Sequence, residues 1–333
     1  MSRIITVLLL VLTTFLTTGT ARTEPLTIYT YDSFVSDWGP GPEVQKRFEV
    51  RCGCETEWVA VGDAASLLTR LRLEGAAGNA DVVLGLDTNL MTEAVESGVV
   101  SEHGLGQMDF DLPITWDDPV FVPFDYGYFA VIYDSEVLTE PPASLADLMS
   151  GGSGPDFIIQ DPRTSTPGLG LMLWVRTVYG DDAAAAWEDL SSRLLTVTQG
   201  WSEAYGLFLE GEAPMVLSYT TSPAYHQMVE ETDRYKAAMF PEGHYMQIEV
   251  AAIAASTDQP DLARDFLSFI GTPEFQNVIP TTNWMYPAVD PGDALPSVFR
   301  ELPTPEISLL LEPDAVAVHR SDWIREWQEA LSR

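Results

Sequence analysis

The chain has 333 residues, 46% of them hydrophobic, with 17 basic against 50 acidic side chains and a formal net charge of −33. Such a surface repels polyanions, which excludes nucleic acid and anionic lipid as partners. Two readings of the charge stay open: a solubility adaptation suited to saline surroundings, and a long-range attraction for cations, screened beyond about 10 Å.

Met1, Ser2 and Arg3 precede an uncharged apolar stretch, and Gly19, Thr20 and Ala21 follow it before Arg22. That is the pattern of a secretory signal peptide over residues 1–21, cut after Ala21. An uncleaved anchor is the competing reading, although the threonines and Gly19 make a poor spanning helix. No later stretch approaches the ~20 consecutive apolar residues of a membrane span. What remains suits two lobes of about 150 residues each.

Residues 26–31 read as a strand and 43–50 as a helix. Cys52 and Cys54, the only cysteines, flank Gly53. In an oxidising compartment a tight disulfide is expected there, closing a loop too small to add much chain-entropy stabilisation. Residues 57–61 form a strand, 64–74 a helix with Leu67, Leu68, Leu71 and Leu73 favouring one face, 81–84 a buried strand and 89–97 a helix. His103, His226, His244 and His319 are scattered and form no spaced pair, so metal binding is not expected.

A second set begins near residues 120–124, with strands at 128–133, 156–160 and 215–219. Helices fall at 169–179, 182–192, 203–209 and 224–231. Residues 245–252 read as a strand, and helices at 260–270, 273–278 and 321–331 close the chain. This rhythm predicts an α/β protein with a largely parallel sheet and helices on both faces. The economical arrangement has two lobes, with the chain crossing at 121–125 and returning at 248–252. Lobe 1 is then 22–122 plus 252–333, and lobe 2 is 123–251. Ligands in open α/β sheets bind outside the carboxyl ends of strands, so a cleft lined by strand-to-helix turns is expected.

Three turns carry suitable chemistry. Asp63 and Ala64 sit where a strand meets a helix; Ser165 and Thr166 precede Pro167; Tyr219, Thr220, Thr221 and Ser222 precede Pro223. Capping of each helix is the plain explanation for such residues. Two hydroxyl-rich helix starts in one lobe also suit capture of an anion such as phosphate. Aromatic residues crowd the same regions: Tyr31 and Trp38, Trp201 and Tyr205, Tyr219 and Tyr225, Trp284 and Tyr286. Trp174 and Trp187 lie within helices and read as core. Rings at several turns would sandwich a flat ligand and stabilise a cation over their faces.

Several strings resemble the periplasmic thiamine-binding proteins of bacterial ABC importers: Tyr29 to Phe34, Asp37 to Pro42, Cys52 to Cys54, Ala80 to Asp87, Phe121 to Tyr128, Asp161 to Gly170, Gly200 to Gly206, Leu217 to His226 and Asn283 to Pro287. The resemblance implies a two-lobed type II periplasmic binding fold that holds thiamine, thiamine phosphate or thiamine diphosphate between the lobes. It implies no cofactor and no catalytic residue. Closure of the lobes over the ligand would be recognised by an ABC transporter permease served by its ATPase, and the carrier would be a monomer in the periplasm. Carried over residue by residue, the ligand contacts fall on Asp63, Ala64, Ser165, Thr166, Trp201, Tyr219, Thr220, Thr221 and Ser222. Tyr31, Tyr225 and Trp284 match aromatic positions suited to stacking. The family commonly has glycine where Ala64 stands. A thiaminase-like enzyme and a binding protein for another small solute are the alternatives on the same fold.

Overall fold

The computed structural model describes residues 24–152 and 154–332, so the expected signal peptide lies outside the described residues. The chain opens with β1 (Leu26–Thr30), α1 (Gly41–Cys52), β2 (Thr56–Ala60), α2 (Ala64–Glu74), β3 (Val82–Asp87), α3 (Met91–Glu96) and β4 (Val100–Ser101). A loop leads to β5 (Val122–Asp134), α4 (Leu145–Met149), β6 (Phe157–Gln160), α5 (Thr166–Tyr179) and α6 (Ala183–Ser191). Next come β7 (Leu194–Thr198), α7 (Trp201–Leu209), β8 (Met215–Tyr219) and α8 (Pro223–Val229). β9 (Tyr235–Ala238) and β10 (His244–Ala254) precede α9 (Pro260–Ile270), α10 (Pro273–Gln276) and α11 (Ile279–Thr282). β11 (Tyr286–Pro287), α12 (Ser297–Glu301), β12 (Ser308–Leu309) and α13 (Pro313–Leu331) complete the order.

Neighbouring strands run β2-β1-β3-β10-β5-β8-β6-β7, with β4, β9, β11 and β12 paired alongside. The expectation of a largely parallel sheet needs correction. β1 pairs in parallel with β2 and β3, and β6 with β7 and β8. β10, however, runs antiparallel to both β3 and β5, and β5 antiparallel to β8. These two long strands, rather than crossover helices, join the two parallel groups, and each is buried along nearly its whole length. With both faces covered, these strands lack the apolar–polar alternation of an antiparallel strand that has one face in water, so their direction leaves no mark in the sequence.

Helix packing follows the apolar spacing. α9 buries Ala263, Phe266, Leu267, Phe269 and Ile270, and Phe48 of α1 meets Phe266 and Phe269 at ring-centre distances of 4.9 and 5.4 Å. Each such buried ring contributes on the order of 2 kcal/mol. α5 is buried without interruption from Thr166 to Val175, so it is a core helix rather than an amphipathic one. Trp174 and Trp187 are buried, as their helical positions predicted. Cys52 and Cys54 form a disulfide, and between them Gly53 takes a left-handed φ of 66° that ends α1.

Candidate functional site

A cavity of about 540 Å³ opens where strands end and helices begin. Tyr31, Ser33, Trp38 and Asp63 line it, together with Thr166, Pro167, Trp201, Ser202, Tyr205 and Leu209. Tyr219, Ser222, Tyr225 and Val229 add to the lining, and Glu249, Thr281, Asn283, Trp284 and Met285 form the floor. The volume lies within the roughly 300–1,000 Å³ of small-molecule pockets.

The rings are held in fixed planes. Trp201 stacks on Tyr205 at 5.0 Å and 23°, and its indole N–H donates to Ser218 Oγ at 2.8 Å. Trp38, 53% exposed, lies 6.3 Å from Trp201 with the two rings tilted by 57°. Tyr225 and Trp284 meet edge to face at 5.3 Å. Trp284 adopts a φ of 57°, a conformation that costs a bulky residue roughly 1–2 kcal/mol. Its N–H donates to Ile279 O at 3.1 Å, and the turn aims the indole into the cavity. Strain of this kind concentrates at functional sites.

The three turns do not serve as plain helix caps. Asp63, Ser165 and Ser222 occupy N-cap positions of α2, α5 and α8, yet none of their side chains bonds its own helix start. Asp63 instead accepts from Ser165 Oγ at 2.7 Å and from the Trp201 N–H at 3.3 Å. The Ala64 N–H donates to Thr166 Oγ1 at 3.4 Å, and Ser66 Oγ to Thr164 O at 3.3 Å. The starts of α2, α5 and α7 are thus tied together through one carboxylate. Withdrawal from water pushes Asp63 up to about 6, against the pull of its two donors and with a contribution from the Asp32 charge.

The floor is a buried polar network. Tyr31 OH donates to Glu249 Oε2 at 2.8 Å, and Gln247 Nε2 to Glu249 Oε1 at 2.9 Å. Asn283 Nδ2 reaches Asp125 Oδ2 at 2.6 Å and Tyr31 OH at 2.8 Å. Tyr219 OH donates to Gln247 Oε1 at 2.8 Å. Burial, reinforced by the neighbouring carboxylates, holds the Tyr31 and Tyr219 phenols well above their usual range.

Of the residues named from sequence, Tyr31, Asp63, Thr166, Trp201, Tyr219, Ser222, Tyr225 and Trp284 line the cavity. Ala64, Ser165, Thr220 and Thr221 lie behind its surface, each buried. Ser165 positions Asp63, the Thr220 N–H donates to Tyr128 O, and Thr221 Oγ1 sits 3.7 Å from Met285 Sδ. Glu249, Asn283 and Met285 were missed, as were Ser33 and Ser202. The available signal was the pair Gln247 and Glu249, two polar residues sharing one face of a strand that runs on into Val250 to Ala254.

The profile of the bacterial extracellular solute-binding protein family matches residues 41–277. The chain is 56% identical over 310 residues to a thiamine-binding periplasmic protein of Brucella abortus, covering 93% of each chain. It is 54% identical over 308 residues to the protein of that name from Escherichia coli, covering 92% of this chain and 94% of the relative. A solved structure titled as a periplasmic thiamin binding protein superposes with a TM-score of 0.91 at 54% identity, over 95% of this chain and 98% of that one.

Proposed function

Since the chain belongs to the bacterial extracellular solute-binding proteins, and within them to the thiamine-binding periplasmic proteins, we propose that it captures thiamine or a thiamine phosphate in this cavity. It has the type II periplasmic binding fold. Its place is the periplasm, reached by export and removal of residues 1–21. There it works as a monomer without a cofactor and delivers its cargo to an ABC transporter permease and its ATPase.

One observation carries the reading: several aromatic rings line a cavity that also presents the Glu249 carboxylate. A permanently positive heterocycle meets ring faces and counter-charge together there, each ring contributing about 0.5–2 kcal/mol. The hydroxyls and N–H groups at the starts of α5 and α8 suit its hydroxyethyl or phosphate end. We place the boundary between the lobes on β5 and β10, the two strands that join the parallel groups. Bending there would open and close the cavity.

The chemistry of a thiaminase-like enzyme requires a free thiolate. Cys52 and Cys54 are bonded to each other and neither lines the cavity, which favours a carrier. Incubation with thiamine and an amine nucleophile separates the two: ligand recovered intact supports the carrier, turnover the enzyme.

Calorimetric titration with thiamine, its monophosphate and its diphosphate is the direct test. Micromolar or tighter binding is expected for at least one form, and nothing better than millimolar overturns the proposal. Trp201→Ala removes one stacking face and the indole bond to Ser218. It should weaken the preferred ligand about tenfold, on the order of 1.4 kcal/mol.

A further inference from the structure

Three neighbouring strands set three carboxylates side by side. Asp87 of β3 and Asp125 of β5 each stand directly opposite Glu249 of β10. Asp87 and Asp125 are fully buried and Glu249 is 7% exposed, with its side chain on the cavity floor. Like charges facing one another across strands oppose pairing, and buried carboxylates without a cation are costlier still. Among the described residues no arginine or lysine pairs with Asp125 or Glu249.

The hydrogen bonds leave a specific gap. Glu249 accepts from Tyr31, Gln247 and, at 3.4 Å, Asn283, while Asp125 accepts from Asn283 through Oδ2 alone. Asp125 Oδ1 is buried and has no donor. The two carboxyl groups are direct cross-strand partners in a buried setting. Two ionised carboxylates placed side by side offer each other only lone pairs, and a proton held between them would relieve that repulsion.

We propose that Asp125 and Glu249 share one proton in the empty carrier and release it when a positive ring enters the cavity, so that the pair selects charged ligands over neutral ones by exchanging a proton for a cation. The carboxyl O–H bond breaks, the proton passes to solvent, and the ligand's positive charge takes its place. The total charge of the site is unchanged and no redox partner is needed.

Other groups facing the pair act in the same direction. Asp87 adds negative charge to Glu249 across the strands, and Tyr31 and Tyr219 are held neutral. Arg320 of α13 acts on Asp87. Burial pushes Asp125 up to about 7 against the pull of its Asn283 and Glu249 partners, and burial followed by the Asp125 charge holds Glu249 well above the carboxylate range. The shared proton is therefore still present near neutral pH. The inference rests on the thiamine reading only through the ligand's positive charge.

Titration calorimetry of the exported chain with thiamine, in two buffers of different ionisation enthalpy at pH 7, counts the protons exchanged. Release of roughly half to one proton per thiamine is expected. A neutral isostere with thiophene in place of the thiazolium should bind without release. Glu249→Gln should abolish the release and weaken thiamine about 30-fold more than it weakens the isostere. Asp125→Asn, which removes the other partner, should abolish the release as well. Thiamine binding without proton release in the unmodified protein overturns the exchange. So does equal weakening of both ligands in Glu249→Gln. Failure of the unmodified protein to bind thiamine at all overturns the functional reading instead, a distinguishable result.

Discussion

Gly85→Ala is expected to abolish measurable thiamine binding and to lower the melting temperature by roughly 5–10 °C, a loss of about 3 kcal/mol. Gly85 lies in the middle of β3 with φ +104°, a conformation that L side chains rarely adopt. A methyl group there would stand 2.2 Å from Cδ1 and 2.5 Å from Cε1 of Tyr31. The ring has nowhere to go. Its hydroxyl is fixed by Glu249 and Asn283, and it packs edge-on against Phe34 at 5.5 Å. Alanine therefore forces either the strand or the ring out of place, and the ring is part of the cavity wall. Thermal melts and calorimetry on Gly85→Ala, Tyr31→Ala and the double variant check this. The double variant should be more stable than the sum of the single losses implies, because the clash is gone. A Gly85→Ala protein that melts and binds like the original would refute the packing described.

The empty carrier is expected to lose about 2–4 kcal/mol of stability between pH 5 and pH 8. Burial raises Asp87 to about 6 and Asp125 to about 7, with Glu249 higher again. All three exceed their unfolded values, so the folded state binds more protons than the unfolded state across this window. Their stabilising contribution is complete below the unfolded values, is lost as pH rises through the folded ones, and stays lost above them. The formal charge of −33 works in the same direction through surface repulsion, but about 1 M salt shortens its reach to roughly 3 Å. Urea denaturation in high salt isolates the buried contribution. The slope should survive the salt and shrink in the Asp125→Asn, Glu249→Gln double variant. Stability that is flat or rising with pH under those conditions would contradict the assignment.

The two expectations depend on features that the sequence displayed unequally. The helix at residues 64–74 and the strand at 215–219 coincide with α2 and β8, because their apolar spacing is local. Residues 128–133 read as a strand, and β5 extends it back to Val122 and on to Asp134. Gly127 does not break it; a side chain there would meet the Met285 methyl group at 2.7 Å, so the glycine answers a tertiary contact. The site divides the same way. Aromatic residues at turns, such as Trp201 and Trp284, stood out because nothing local explains them. Asp125 and Glu249 did not, since an acid within an apolar strand reads as one exposed position. Only the pairing of β5 with β10, more than a hundred residues apart, shows that both face inward. Asp63 was found as a turn residue, but its bonds to Ser165 and Trp201 join elements whose proximity no local pattern announces.

The indoles lining the cavity give the protein an optical property of its own. Of its nine tryptophans, Trp38, Trp201 and Trp284 line the cavity, and Trp38 stands half in water. A guest seated among them changes the polarity around those three emitters and leaves buried ones such as Trp174 as a constant background. Occupancy is thereby written into the molecule's ultraviolet emission, where it can be followed in real time without a dye.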